Sequence, residues 1–357
     1  MKKPPENKNR RNELIRAIEE ARNSRVITYV TSNRPNVQSD IESADVVHFR
    51  EHLEEICAKC KSLDLFLFSY GGELEAAWEL VNLFREYNID FSVLVPFHAR
   101  SAATLIALGA KETVMGKMAS LGPIDPTIRI TGGELDGMEI SASDMDSFED
   151  FLREEYQVTK PQDKMKGFEL LAQSVSPILI GQAYRNYIET RKDAEKLLAR
   201  YNKNPEQVKK IVQVFIKDIS THNHSISRRE AKQSGLNVSY APKEVEHLMW
   251  DLYKEYEKEM EMDKPYIDVP PEKGTTREVP FTYIESAEFS TRKIGLQKFT
   301  DLKFPAESRL VSMDEEAAIQ LPDGTSMKIV PHGTLIAAQG KIYDKTEDIY
   351  WKTKKTS

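Results

Sequence analysis

The sequence predicts an α/β fold, in which a mainly parallel sheet carries helices on its faces. Apolar strand-like runs alternate with helix-like segments between Val26 and Met115, which is the rhythm of consecutive β-α units. Two of these apolar runs end in turns at the carboxyl end of a strand, where open α/β sheets hold ligands. The chain has 357 residues, 40% of them hydrophobic, so it can form two domains or one elaborated domain.

The elements of the first half follow from apolar spacing. Leu14, Ile15 and Ile18 share one face of a helix predicted over 12–23, and a second amphipathic pattern gives a helix over 73–87. A small-residue helix is predicted over 102–108, a mostly helical segment over 44–62 and a polar loop over 33–43. The predicted strands are 26–31, 63–68, 91–95 and 113–115.

The second half is predicted to be mainly helical after a hairpin over 128–140. Pro177 is expected to break or kink a long helical stretch over 168–201, because proline lacks the N–H that a helix interior needs. Gly235 suits the C-terminal cap of a helix over 227–234. The segments 160–166 and 221–225 are predicted to be polar and loop-like, the former mobile, and the remaining predicted helices are 142–156, 206–218 and 242–262.

The character of the chain changes after Pro265. Pro270 and Pro271, followed by Gly274, are typical of a linker. Short apolar pieces with turn signals then predict a small, mainly β appendage. We therefore expect two domains, 1–264 and 265–357.

Composition excludes several classes of protein. The net charge of −7 does not favour nucleic-acid binding, and no run approaches the roughly 18 apolar residues that span a bilayer. The charged N-terminus does not resemble a secretory signal. Cys57 and Cys60 lack the partners of a zinc site and are interpreted as reduced thiols, so we expect a cytoplasmic protein without metal or cofactor.

Ser101 is the strongest candidate for chemistry. It stands between the apolar run ending at Val95 and the predicted helix over 102–108. A helix leaves its first N–H groups unpaired, and such donors can stabilise an oxyanion during acyl transfer. The alternative interpretation is a serine that only caps the helix, a role in which serine is common.

The turn Ser69-Tyr70-Gly71-Gly72 supports the catalytic interpretation of Ser101. It follows the apolar run 63–68 and precedes the helix predicted over 73–87. Paired glycines can adopt positive φ and let the backbone approach a ligand closely. Two consecutive strand–turn–helix units therefore present backbone donors at the same edge of the predicted sheet.

Five motifs together resemble the serine dehydrogenase proteinase family, which is related to signal peptide peptidase A within the Clp-protease/crotonase superfamily. They occur in the family's order between Arg25 and Val238, and nothing after Pro265 is covered. The motifs are the 69–72 turn, Ala99-Arg-Ser101-Ala-Ala-Thr-Leu-Ile-Ala, Gly122-Pro-Ile-Asp-Pro126, Gly181-Gln-Ala-Tyr-Arg185 and Thr221-His-Asn-His224.

The resemblance implies a Clp-protease/crotonase-like β/α spiral core with added helices, and hydrolysis of peptide bonds. It implies Ser101 as nucleophile and the N–H groups of Gly72 and Ala102 as the oxyanion hole. Gly71 and Tyr70 would contact a peptide or protein substrate; Tyr70 stands where the wider superfamily usually has proline. It also implies a homo-oligomer, because superfamily members commonly assemble into rings or trimers.

The general base is open between two arrangements. In Clp proteases a histidine lies in the loop that aligns with 122–126, where this chain has Asp125. In one hypothesis the histidine and the aspartate of the triad have exchanged places along the chain, so that His222 or His224 is the base and Asp125 orients it. Such an exchange is possible because a triad is defined by its geometry and not by the order of its residues in the chain. The other is a Ser–Lys dyad as in signal peptide peptidase A, with Lys164 or Lys166 as the base.

Two further functions remain as alternatives to a peptidase. One is a non-catalytic binding module on the same fold, which the absence of a histidine at Asp125 favours. The other is an acyl-CoA enzyme of the crotonase branch, which uses paired N–H groups to hold a thioester enolate. His48, His52 and His98 are interpreted as surface or packing histidines, since no third metal ligand accompanies them.

Overall fold

The α/β fold is confirmed. The structure is a computed structural model that describes residues 8–57, 62–130, 137–217, 224–271, 274–303, 309–312, 318–320, 326–328, 334–338 and 341–356. Over these residues it has a central sheet with helices packed on both faces.

The described helices lie close to the predicted ones. In chain order they are α1 (Lys8–Arg22), α2 (Ser43–Cys57), α3 (Leu74–Glu86), α4 (Ala102–Leu108), α5 (Ala142–Glu154), α6 (Pro161–Ser174), α7 (Pro177–Leu198), α8 (Pro205–Ile216), α9 (Arg228–Gln233) and α10 (Lys243–Glu259).

The strands fall into a large sheet and several short ones. In the first part of the chain they are β1 (Arg25–Thr31), β2 (Asn33–Arg34), β3 (Val37–Gln38), β4 (Ser62–Phe68), β5 (Asp90–Val95), β6 (His98–Ala99), β7 (Glu112–Met115), β8 (Ser120–Leu121), β9 (Thr127–Arg129), β10 (Glu139–Ser141), β11 (Ile226–Ser227) and β12 (Val238–Tyr240). After residue 270 they are β13 (Thr276–Ser286), β14 (Phe289–Leu302), β15 (Arg309–Ser312), β16 (Ala318–Gln320), β17 (Ser326–Lys328), β18 (Thr334–Ala338) and β19 (Lys341–Lys355).

The parallel half of the large sheet has the order β12-β7-β5-β4-β1. Side chains alternate between its two faces, as the pleat requires. In β4, Leu65 and Leu67 join the core beneath α2, α3 and α4, whereas Phe66 and Phe68 join the core beneath α1 and α10. The continuous apolar runs of the sequence are therefore strands buried on both faces.

A second, three-stranded sheet lies next to the carboxyl ends of β4 and β5. Its order is β11-β8-β6, and it brings the segment after β5 beside the segment before Gly122. Two isolated bridges attach the turn after β4 to this region: Ser69 pairs with Ala99, and Gly72 pairs with Ile41. These contacts bring together three of the five sequence motifs at one edge of the large sheet: the 69–72 turn, the segment that contains Ser101 and the loop that begins at Gly122.

The region after Pro265 is mainly β, as predicted, and it continues the large sheet. β13 pairs antiparallel with β1, and β14, β19 and β18 follow outward. β14 and β19 pair along 14 residues each, from Phe289 opposite Lys355 to Leu302 opposite Ile342. The division into domains 1–264 and 265–357 stays a prediction.

Two local predictions are corrected. Residues 161–166, predicted to be polar and mobile, form the first turns of α6, where Pro161 occupies the first helical turn, the position in which a helix tolerates proline. The polar loop 33–43 contains the short hairpin β2–β3.

The break predicted near Pro177 is confirmed, because α6 ends at Ser174 and Ser176 caps α7. The loop at 221–225 lies mostly outside the described residues.

Candidate active site

Two turns meet at the carboxyl edge of the sheet. The Ser69 N–H donates to the His98 carbonyl over 3.1 Å, and the Arg100 N–H donates to the Ser69 carbonyl over 3.0 Å. These two bonds join the turn after β4 to the turn before α4. Gly71 is consequently held against Ser101, which lies 30 residues further along the chain.

Ser101 has a strained backbone and does not act as a helix cap. Its φ of 48° and ψ of −114° lie outside the regions that residues with a side chain normally populate. Its side chain accepts no capping hydrogen bond from the first turn of α4. By contrast, Ser227 caps α9 conventionally through the Glu230 N–H. The simple capping interpretation therefore does not describe Ser101, whose half-buried side chain borders an open cleft.

Gly71 can only be glycine in this arrangement. Its φ is +122°, and a Cβ atom built on it would lie 2.9 Å from the Ser101 Cβ and 3.4 Å from the Ser101 Oγ. Gly72 is similarly constrained, with φ +142° and an added Cβ 2.3 Å from the Ile41 carbonyl oxygen. The glycine pair thus provides the close backbone approach that the sequence predicted at this turn.

The backbone N–H groups of Gly72 and Ala102 donate to no other residue in the part of the chain that the structure describes. Gly72 is exposed and borders the cleft; Ala102 is the first residue of α4. Ile41 fixes the position of the Gly71–Gly72 segment, because its N–H donates to the Gly71 carbonyl over 2.8 Å. The N–H groups of Gly72 and Ala102 are therefore available as hydrogen-bond donors.

Asp125 borders the same cleft as Ser101. The loop before it is fixed by Thr104 of α4, whose Oγ1 donates to the Gly122 carbonyl over 2.9 Å and accepts from the Gly122 N–H over 3.1 Å. The Ile124 N–H donates to the Phe215 carbonyl over 2.8 Å. The Asp125 carboxylate accepts a hydrogen bond from Ser143 over 3.0 Å, which orients it from the α5 side.

The cleft has a volume of about 750 Å³ and lies between the site turns, α3 and α7. Its size falls in the range of roughly 300–1,000 Å³ that is typical of ligand-binding pockets. Tyr70 is 43% exposed at its edge, and the Arg100 guanidinium lies 5.2 Å from the Tyr70 ring centroid. The wall is rich in carboxylates, among them Glu75 and Glu79 of α3.

None of the candidate bases that the structure describes lines the cleft. His222 lies outside the described residues. His224 is exposed, with its Nε2 3.4 Å from the Glu230 carboxylate, and it is not among the residues that line the cleft. Lys164 and Lys166 do not line it either; their side chains are 40% and 74% exposed and pair with Glu149 and Asp163.

His48, His52 and His98 contact neighbouring side chains within the fold. His52 is buried between Ser286 and Thr291 hydroxyls, and burial lowers its pKa to about 4. His98 contacts Ser120 through Nδ1 over 2.8 Å, and burial, with the nearby positive charge of Arg100, lowers the pKa of His98 to about 4. His48 stacks on Trp351. No group of three or more His, Cys, Asp or Glu side chains within the described ranges is arranged to hold a metal ion.

Sequence reasoning missed two parts of the site. Ile41, which braces the glycine pair, lies in a segment predicted only as a loop, and nothing in its local pattern indicates that contact. The carboxylates of the wall were also missed. Glu75 and Glu79 stand four residues apart on the helix that follows the glycine turn, so they share a helix face, and this spacing could have revealed them.

The comparison with family models confirms the resemblance. Residues 2–133 match the family described as ClpP-like SDH-type serine proteinase, and this segment includes the glycine turn, Ser101 and Asp125. No described helix is long and apolar enough to cross a membrane.

Two relatives are from Methanocaldococcus jannaschii. The uncharacterized protein MJ0137 is 27% identical over 248 residues, which are 68% of this chain and 78% of that protein. The uncharacterized protein MJ1495 is 25% identical over 246 residues, which are 67% of this chain and 75% of that protein.

Solved structures of proteases give weak overall matches. A 1510-N membrane-bound stomatin-specific protease has a TM-score of 0.36 and 17% identity, covering 57% of this chain and 75% of that one. ClpP1 from Listeria monocytogenes has a TM-score of 0.34 and 13% identity, covering 64% of this chain and 98% of that one.

Proposed function

We propose that this chain, whose residues 2–133 match the ClpP-like SDH-type serine proteinases, is a serine peptidase with Ser101 as its nucleophile. The observation that carries the proposal is the conformation of Ser101. Its backbone is strained, its hydroxyl is not used for capping, and a glycine that cannot be replaced lies against it. Strained backbone of this kind is concentrated at functional sites, where the surrounding structure maintains it.

The proposed reaction begins when the Ser101 Oγ attacks the carbonyl carbon of a peptide bond. A base accepts the hydroxyl proton, and the N–H groups of Gly72 and Ala102 hold the oxyanion of the tetrahedral intermediate. The intermediate collapses to an acyl-enzyme as the C–N bond breaks and the base returns its proton to the leaving amine. A water molecule then repeats the sequence on the ester, releasing the acid and restoring Ser101.

We propose a histidine of the 222–224 segment as this base, with Asp125 orienting it. Support comes from the described residues that flank the segment. The Phe215 carbonyl accepts from the N–H of Ile124, next to Asp125, and the Ser225 hydroxyl accepts from the guanidinium of Arg100, next to Ser101. An imidazole titrates near neutral pH and suits the role.

The lysine alternative has less support. A lysine must be desolvated or placed near another cation to lose its proton at neutral pH. Lys164 and Lys166 have the opposite surroundings, since each is exposed to solvent and paired with a carboxylate.

The test compares Ser101→Ala with the wild-type chain on casein and on a panel of fluorogenic peptides. We expect the substitution to lower kcat/KM by about 10³-fold or more, because a nucleophile has no substitute in this reaction. Ser176→Ala is the matched control, since Ser176 caps α7 and is exposed. Equal activity of wild type and Ser101→Ala would refute the nucleophile, and absence of activity in both would favour the non-catalytic module.

A further inference from the structure

We propose that the cleft beside Ser101 selects peptides that carry lysine or arginine side chains near the cleaved bond. This inference rests on the proposed function, because Ser101 and the glycine turn define the site. It adds the chemical class of the substrate, which follows from the charges on the cleft wall.

The wall is strongly acidic. Of the 19 described residues that line the cleft, eight are Asp or Glu and one, Lys196, is Lys or Arg. The carboxylates come from several elements, so they surround the cleft and do not form a single patch. α3 contributes Glu75 and Glu79, α7 contributes Glu189 and Asp193, and β10 contributes Glu139.

Half of these eight carboxylates have no ion-pair partner among the described residues. Glu75, Glu79, Glu139 and Glu189 form no ion pair with any described residue. Many other surface carboxylates do, for example Glu54 with Arg50 at 2.8 Å. Part of the negative charge of the cleft is therefore not paired with a cation of the described residues.

Lys196 shows how this wall accommodates an ammonium group. Its Nζ lies 2.8 Å from the Asp193 carboxylate and 5.1 Å from the centroid of the Trp78 ring. A carboxylate combined with an aromatic face is a favourable environment for a cation. Trp78 borders the cleft on the same helix as Glu75 and Glu79, so the wall that already holds this one ammonium group carries two further carboxylates.

The raised pKa of Asp40 also indicates that negative charge is concentrated in the cleft. Asp40 borders the cleft near Gly72, and its Cβ lies 3.0 Å from the position of a Cβ added to Gly72. Partial burial raises the pKa of Asp40, and the negative charges of Glu42, Glu139 and Glu73 raise it further, against the lowering effect of Lys293. Carboxylates that disfavour each other's ionisation are stabilised when a cation binds between them.

An acidic cleft distinguishes basic from acidic peptides mainly through the rate at which they associate with it. Walls of one charge sign raise the local concentration and association rate of oppositely charged ligands, by about 10- to 10³-fold at low ionic strength. Acidic peptides would be repelled by the same field. Because most of the carboxylates are exposed, salt would screen the effect, and the preference should shrink as ionic strength rises.

The experiment uses three internally quenched peptides with the same central sequence, flanked by four lysines, four glutamines or four glutamates. With the full chain at low salt, we expect kcat/KM to be about tenfold or more higher for the lysine peptide than for the glutamate peptide. In 0.5 M NaCl we expect that ratio to fall severalfold.

Charge-neutralising variants assign the effect to the cleft. Glu75→Gln/Glu79→Gln should lower kcat/KM for the lysine peptide by about fivefold, through KM, and leave the glutamine peptide nearly unchanged. Glu20→Gln/Glu86→Gln is the matched control, because it removes the same charge from exposed residues that do not line the cleft. We expect it to behave as wild type.

A binding measurement separates this inference from the proposed function. Fluorescence anisotropy of the labelled peptides on Ser101→Ala reports recognition without hydrolysis. The inference is supported if the lysine peptide binds most tightly and if Glu75→Gln/Glu79→Gln weakens that binding. If this binding pattern is found but the wild-type chain cleaves none of the peptides, only the proposed peptidase activity is overturned. If kcat/KM for the glutamate peptide equals or exceeds that for the lysine peptide, or if all three peptides bind with equal affinity, the inference is overturned. The proposed peptidase activity is unaffected by either result.

Discussion

At the scale of single residues, the site depends on the backbone of Ser101. A residue held in this sparsely populated conformation costs of the order of 1–3 kcal/mol, so the surrounding contacts must enforce it. The bonds between Ser69 and the 98–100 segment provide that constraint, and Gly71 leaves the space in which the Ser101 side chain lies.

We therefore predict that Gly71→Ala abolishes measurable peptidase activity. The added methyl would lie 2.9 Å from the Ser101 Cβ, and alanine would be strained at φ +122°. Gly181→Ala is the control, because a methyl at Gly181 in α7 meets no atom within 4 Å, and alanine should stabilise that helix by roughly 0.5–1 kcal/mol. Peptide hydrolysis and thermal unfolding measure both effects; full activity in Gly71→Ala would show that the close packing is unnecessary.

At the scale of elements, α2 is attached to the sheet through a buried acid. Asp45, in the first turn of α2, accepts a hydrogen bond from Tyr29 of β1 over 2.6 Å. Its other oxygen, Oδ1, is buried without a hydrogen-bond partner among the described residues. Burial raises the pKa of Asp45 to about 6, and the hydrogen bond from Tyr29 opposes that rise.

This raised pKa predicts a specific pH dependence of stability. Because the pKa is higher in the folded chain than the ordinary value of 3.8, the contribution of Asp45 is fully present below pH 3.8 and is lost as pH rises through about 6. Asp45→Asn keeps the acceptor for Tyr29 and cannot ionise. At pH 8 we expect the variant to be more stable than wild type by about 3 kcal/mol, and at pH 4 the difference should nearly vanish. Urea unfolding at both pH values measures it, and a difference independent of pH would contradict the assignment.

The elements were predicted well wherever local patterns determine them. The strands β1, β4 and β5 were found because both of their faces are buried, which leaves continuous apolar runs. The start of α6 was missed because residues 160–166 are polar, and its main sequence signal is Pro161 in the first turn. The approach of Asp125 to the cleft of Ser101 could be inferred only from the family resemblance, because it depends on contacts of Gly122 with α4 that no local pattern encodes.

At the scale of the whole molecule, a buried ion pair joins helix α1 to strand β13 of the region after Pro265. Arg11 of α1 pairs with Glu285 of β13 over 2.8 Å, and both side chains are at least 95% buried. Glu285 also accepts hydrogen bonds from Tyr256 of α10 and from Ser290. Together with the pairing of β13 to β1, this network connects the predicted appendage to the N-terminal region.

We predict that Arg11→Met destabilises the chain by about 3–5 kcal/mol, because it leaves the Glu285 carboxylate buried without its cation. Arg10→Met is the matched control. Arg10 pairs with Glu13 at 3.4 Å on the surface, where such a pair contributes about 0–1 kcal/mol. Denaturant unfolding of both variants measures the contrast, and equal stabilities would show that the buried pair does not hold α1 to β13.

The identity of the nucleophile is tested most directly by labelling with a fluorophosphonate, followed by mass spectrometry of the modified peptide. We expect the wild-type chain to carry one label, on the Oγ of Ser101, and Ser176→Ala to be labelled equally. Ser101→Ala should carry none. A label on another serine, or labelling of Ser101→Ala as efficient as that of wild type, would contradict the central claim that the strained turn before α4 presents an activated hydroxyl.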